Sequence, residues 1–417
     1  MAVSATCGFE RHQCGNGAEL KSSTLRVLAA AGIVAAGHLF VLGILTRGLT
    51  DKTVTDRDFI QYWAAGQQLV HGANPYDSAA ILRLERAVGL AALRPKISFS
   101  PPVASFLAMP LGYLSPKTAL TLSLLVLLTC LSVSIWMIWL LNGRPNSRLH
   151  LLGYAFAPAL ACLMAGQLGI FLLTGLVLFL YFHHSRPFLA GAALLPCALK
   201  PHLFLPFAIA LLLWVVGRRA FAVLAGFCAA LLASCALSLC FDLRVWSQYS
   251  QMMRSSGVLH EWIPTLGVSF RFLIDRDAVW LQLLPEAAAC IWALWYFWTR
   301  RSRWRWMDQG LLLLLVSAMC TPYGWFFDET MLLPAVLAGL YRAVDGRRSV
   351  WPLALFAGVS LVEILASVQI TSPYYLWTTP AWLAWYLYAT GRIGASAKSV
   401  RNPSGRGRSR AAIGDSH

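Results

Sequence analysis

Residues 118–141 read TALTLSLLVLLTCLSVSIWMIWLL, an apolar run without one charged side chain. A bilayer core of ~30 Å needs roughly 20 apolar helical residues, so this run is long enough to cross it. Residues 27–46, bracketed by Arg26 and Arg47, and residues 220–241 are two more blocks of the same kind. Inside lipid each must be helical, because every backbone N–H and C=O has to find its partner within the segment. The whole chain shares the bias. Of its 417 residues, 58% are hydrophobic and 12% charged, about half the charged fraction that a soluble surface carries.

The charge is lopsided, with 34 Lys and Arg against 18 Asp and Glu. The positive residues gather in short segments between apolar blocks, at 217–219, 300–305, 342–348 and 398–410. This is the positive-inside pattern of a membrane protein rather than the basic face of a nucleic-acid binder, and it predicts that these segments are cytoplasmic. The tail 393–417 reads as disordered, with a basic charge suited to anionic lipid. The block at 27–46 follows a polar leader, 1–25, and no small-residue cleavage site follows it, so it reads as a first span and not a signal peptide. The ten cysteines lie mostly in apolar blocks and read as small packing residues, with no disulfide or metal framework.

These features predict an all-α polytopic membrane protein with about twelve crossings. The expected spans are 27–46, 101–114, 118–141, 149–164, 168–182, 187–216, 220–241, 279–299, 307–320, 330–341, 350–370 and 374–390. The sixth is broken at Lys200-Pro201-His202 and reads as one kinked span or two half-length helices. This count puts both termini of the membrane domain, 26–392, in the cytoplasm and the long loops 47–100 and 242–278 outside. Trp292, Trp295, Trp298, Trp304 and Trp306 read as an interfacial belt. No phosphate-binding glycine loop and no Gly-x-Ser-x-Gly elbow is present.

The first outer loop carries the most information. Residues 56–70 read as a short amphipathic helix, with Asp58, Gln61, Tyr62 and Gln68 near one face and Ile60, Trp63, Ala64 and Val70 on the other. Gly72 to Pro75 ends it in a turn. Such a helix is expected on the membrane surface with its apolar side in lipid, which would hold Asp58 at the water–lipid boundary.

Here the sequence resembles glycosyltransferase family 87. Asp58, Tyr62, Ala64, Ala65, Gly72, Pro75 and Tyr76 carry the likeness in the first outer loop. Ser100-Pro101-Pro102 leading to Pro110-Leu111, Gly166-Gln167, Gly191 with Lys200-Pro201, and Thr321-Pro322-Tyr323 extend it. The resemblance runs from about residue 56 to about residue 333. It implies a GT-C fold and inverting transfer of a hexose, mannose among the candidates, from a polyprenyl-phosphate donor to an extracytoplasmic glycolipid or glycan.

That chemistry requires a carboxylate base beside the acceptor hydroxyl and a cation beside the leaving phosphate. On the resemblance, Asp58 is the base; from its position alone it would be a helix cap. Lys200 is the first candidate cation, because a charge inside an apolar run needs a partner or a cavity. Arg254 and Arg271 in the second outer loop are alternatives. Tyr62, Gln167, Tyr323 and Asp328 are the remaining substrate-side candidates, the last two flanking an outer turn. Asp56-Arg57-Asp58 and Asp275-Arg276-Asp277 have the Asp-x-Asp form of metal-dependent transferases. Both lie in outer loops, where nucleotide sugars are absent, so no metal or other cofactor is expected. A lipid-linked sugar flippase would instead call for matched broken helices. A ligase or polymerase would call for a larger second loop. The topology is testable: a reporter fused after Arg410 should give a cytoplasmic signal, and a periplasmic one would overturn the even count of crossings.

Overall fold

The computed structural model describes residues 50–369 and 371–392, with Gly37, Leu39 and Gly43 from the first apolar block. The rest of that block, the leader 1–25 and the tail 393–417 lie outside the described residues. So do both termini, with the expectations that fall on them. Every regular element among the described residues is helical.

The first long loop, expected outside, folds into three helices, α1 (Asp51–Thr55), α2 (Phe59–Val70) and α3 (Ser78–Ala87). A 3-10 turn then leads into α4 (Ser105–Gly112), and Ser115 caps the long α5 (Pro116–Leu141). Next come α6 (Ala157–Ala165), α7 (Gly169–Phe182), α8 (Pro187–Ala193), α9 (Leu205–Arg218) and α10 (Phe221–Phe241). The second outer loop holds α11 (Val245–Ser255) and α12 (Leu266–Ile274). The chain closes with α13 (Leu284–Arg300), α14 (Leu311–Cys320), α15 (Leu333–Asp345), α16 (Trp351–Leu365) and α17 (Thr378–Ala389).

Among the described residues three helices are long and apolar enough to cross a membrane on their own: Pro116–Leu141, Pro201–Arg218 and Phe221–Phe241. Their packing suits lipid. On α10 the buried positions include Gly226, Ser234 and Ser238, while Phe221, Leu224, Leu232 and Leu239 face outward. A water-soluble helix would show the reverse. Small residues let helices approach closely in a bilayer, and hydroxyls hold them there. Gly191 of α8 and Gly226 of α10 cross so closely that a methyl group on either would collide with the other helix's backbone. Ser234 and Ser238 donate to the carbonyls of Val103 and Pro102, each at 2.6 Å.

Three expectations change. The helix in segment 101–114 is shorter than a crossing needs. This helix, Pro102–Gly112, covers only ~16 Å at 1.5 Å per residue, and it lies along α2. Gly66 and Gly112 meet backbone to backbone there. Trp63 Nε1 donates to the carbonyl of Leu114 at 3.0 Å, and Gln67 Nε2 to that of Gly112 at 2.6 Å. The helix α2 is therefore not a surface amphipathic helix. Its apolar side chains Phe59, Ile60 and Trp63 pack with Ala119, Leu120 and Leu124 of α5, so protein takes the place that lipid was expected to fill. The broken segment 187–216 resolves into two pieces, α8 and α9, separated at Lys200, whose backbone (φ −140°, ψ 67°) is not helical. The indoles of Trp304 and Trp306 are buried in the core, whereas Trp295 and Trp298 are exposed as a belt requires.

The helices have two unlike ends. At one end Arg218 donates to the carbonyl of Ser302 at 3.5 Å, and Asp308 pairs with Arg305 at 3.1 Å and with Arg342. Three of the basic segments thus meet there. At the other end the turns after α6, after α8 and after α14 converge with the start of α2.

The outer loops fasten to each other through Leu69, Tyr76, Val245 and Met252. Segment 94–99 is held by Glu85, whose two carboxylate oxygens accept from the backbone N–H of Lys96 at 3.3 and 3.1 Å. Glu85 is wholly buried, and burial lifts its carboxyl to about 7 against the pull of the Lys96 contacts. A raised folded-state value favours the protonated form. The stability it contributes is full below the ordinary glutamate range and is lost as pH rises through about 7. Glu85→Gln should therefore melt progressively higher than wild type as pH rises from 5 to 8, by on the order of 3 kcal/mol in total, as followed by thermal denaturation of the purified protein.

Candidate active site

Asp58 occupies the N-cap position of α2, yet its side chain makes no capping bond. Its carboxylate instead accepts from Gln167 Nε2 at 2.9 Å and faces Lys96 Nζ at 3.8 Å, with about a third of the side chain exposed (37%). A carboxylate released from capping and left open to solvent is available for chemistry.

Gln167 reaches Asp58 because α6 ends on Gly166 in the left-handed region (φ 70°), where a side chain would strike Phe59. The other half of the amide accepts from Tyr62 Oη at 2.7 Å. Tyr62 thus turns inward from the expected polar face and is 7% exposed. Burial, then the charges of Asp58 and Asp328, hold its phenol well above the usual range, so it stays a proton donor to Gln167. The chain Tyr62–Gln167–Asp58 fixes which carboxamide atom faces the carboxylate.

The second half of the site is an ion pair. Lys200 Nζ donates to Asp328 Oδ1 at 2.6 Å, and their side chains are 12% and 3% exposed. Prolines shape the approach: Pro196 and Pro201 start the 3-10 turns on either side of Lys200 and keep the helix from closing over it. Asp328 Oδ2 accepts from the backbone N–H of Trp325 at 3.1 Å, so one carboxylate both starts its helical turn and holds the lysine. The ring of Phe327 lies 5.0 Å from Lys200 Nζ.

Tyr323 stands beside this second half. Its hydroxyl accepts from Trp325 Nε1 at 3.1 Å, and its ring meets His202 edge-on at 5.5 Å. Burial pushes its phenol up to about 12, with the charges of Asp328, Glu261 and Asp58 adding to the effect. Thr321 Oγ1 donates to the carbonyls of His202 (3.3 Å) and Tyr323 (3.0 Å), tying the two turns together.

Asp58, Tyr62, Gln167, Lys200, Tyr323 and Asp328 therefore come from four separate stretches of chain to one end of the bundle. The alternative cations do not share this arrangement. Arg254 is exposed near the end of α11, and Arg271 is wholly buried in the second outer loop, where it donates to the carbonyl of Glu261 at 3.2 Å. The aspartates of 275–277 form a local turn, with Asp277 N–H donating to Asp275 Oδ1 at 3.0 Å. Among the described residues no three His, Cys, Asp or Glu side chains gather as a metal site.

Sequence reasoning missed Lys96 and Glu329. Lys96 Nζ also donates to the carbonyl of Asp56 at 2.7 Å, from forty residues away. Glu329 accepts from Thr378 Oγ1 (2.5 Å) and Trp382 Nε1 (2.8 Å), bracing the Asp328 turn against α17. Neither sits in a motif, and only the fold reveals them.

The family model of glycosyltransferase family 87 matches residues 99–322. The match contains Gln167 and Lys200; Asp58, Tyr323 and Asp328 join them through geometry. No curated protein and no solved structure matches the chain. The family model covers more than half of the sequence, and the protein is a membrane glycosyltransferase of family 87.

Proposed function

We propose that this glycosyltransferase moves a hexose from a polyprenyl-phosphate donor to a glycan or glycolipid acceptor on the extracytoplasmic side, with inversion at the anomeric carbon. One observation carries the reading: an oriented, solvent-accessible carboxylate, Asp58, shares one end of the bundle with a buried lysine, Lys200, while three basic segments sit at the opposite end. Basic ends favour the cytoplasm, so the site would face outward.

In this mechanism the acceptor hydroxyl attacks the anomeric carbon from the face opposite the phosphate. Its proton passes to Asp58 as the new C–O bond forms. The bond from the anomeric carbon to the phosphate oxygen breaks, and its electron pair leaves with polyprenyl phosphate. That phosphate gains negative charge, which Lys200 is positioned to offset once the donor draws it from Asp328. Gln167, held by Tyr62, keeps the Asp58 carboxylate aimed, and Tyr323, packed on His202 near the cation, lines the sugar pocket in this reading. The reading uses Lys200 in place of a divalent ion, and membership in a transferase family sets the flippase alternative aside.

Purified protein supplied with radiolabelled polyprenyl-phosphate sugars tests it. Asp58→Asn should elute and melt as wild type yet lose at least ~100-fold in transfer, the scale of a positioned general base. Full activity in that variant would remove Asp58 from the role, and a product with retained configuration would rule out direct displacement. Lys200→Arg should keep part of the activity and Lys200→Met should lose it with a raised donor KM. Equal donor KM in all three proteins would place the phosphate elsewhere.

A further inference from the structure

The two outer loops enclose a groove that the transfer step leaves unused. Segment 94–99 forms one wall and α11 the other, around about 720 Å³ of open space. That volume lies within the range of small-molecule sites. Its walls are mixed: Asn74, Arg94, Lys96, Gln248, Gln251 and Glu261 stand among Tyr76, Phe99 and Met252. By contrast, a second cleft between α9 and α10 is lined almost wholly by apolar side chains such as Phe204, Leu211 and Phe227. An isoprenoid chain belongs in surroundings of that second kind, so the mixed groove calls for a different ligand.

One contact joins the groove to the candidate active site. Lys96 in its wall faces Asp58 at 3.8 Å. The groove thus runs up to the base. One of its walls also has an unmet need. Gln248 Nε2 donates to Asp242 Oδ2 at 2.6 Å, but Gln248 Oε1 is buried without a partner. A buried acceptor is costly to leave unsatisfied, and a hydroxyl donor is the group that satisfies it. Carboxamides, hydroxyls and charges of both signs interspersed along a wall are the chemistry that recognises sugar hydroxyls.

We propose that this groove is the acceptor site and that it holds a hydroxyl-rich glycan of about two or three sugar units. Gln248 Oε1 accepts from a ring hydroxyl, Asn74 and Gln251 bond to others, and the reacting hydroxyl lies at the Lys96 end beside Asp58. The assignment rests on the reading of Asp58 as the base, but its test does not require turnover.

Full-length protein in detergent is applied to a glycan array in three forms: wild type, Gln248→Ala and Gln251→Trp. Gln251 is exposed, so its replacement fills the groove without disturbing the core. Wild type should bind a defined set of glycans, while Gln248→Ala and Gln251→Trp should bind them at least tenfold more weakly and still elute as monodisperse protein. Binding by the two groove variants within twofold of wild type would overturn the proposal, as would a wild type that binds no glycan. Glycan binding lost only in the groove variants, in a protein that turns over no polyprenyl-phosphate sugar, would uphold the groove and refute the donor instead.

Discussion

A lysine in an apolar stretch of a membrane protein must have a counter-charge, and Lys200 finds its own 128 positions away in Asp328. A buried pair adds little net stability when both members are present, but removing one leaves a bare charge and costs about 3–5 kcal/mol. The pairing therefore acts as a constraint on the fold. It forces the break between α8 and α9 to lie against the turn between α14 and α15. Asp328 is in turn fixed by the Trp325 backbone, and its neighbour Glu329 by Thr378 and Trp382. Two distant turns are held together by a charge that lipid would not tolerate alone, and Glu329 ties the start of α17 to them.

The base is positioned by different physics. Asp58 has no buried counter-ion, and its side chain is open to solvent. What orients it is a neutral relay from Tyr62 through Gln167. The relay itself brings no charge to the carboxylate, which the partly exposed Lys96 faces at 3.8 Å. The relay depends on the left-handed turn at Gly166, so backbone conformation and catalytic geometry meet at one residue.

The scaffold around these groups follows the solvent it lives in. Its long helix α10 buries serine and glycine and turns leucine and phenylalanine outward. Two of those serines clamp the segment before α4, which carries α2 and therefore Asp58. The first outer loop is in this way anchored on protein, through α4 and α5, and not on the lipid surface.

Much of this was legible in the residues alone. Uncharged runs of spanning length dictate membrane helices, because no other structure satisfies the backbone in lipid. An isolated lysine in such a run and an aspartate opening an amphipathic segment mark themselves by their cost or position. Local pattern could not distinguish lipid from protein as the partner of an apolar face, so α2 was expected on the membrane and 101–114 across it. Periodicity reports that a face is apolar, and says nothing of what covers it. Nor could spacing reveal that Gln167 touches Asp58, that Asp328 rather than solvent answers Lys200, or that Lys96 stands beside the base. Those contacts join residues 38 to 128 positions apart, and only the packed bundle decides them.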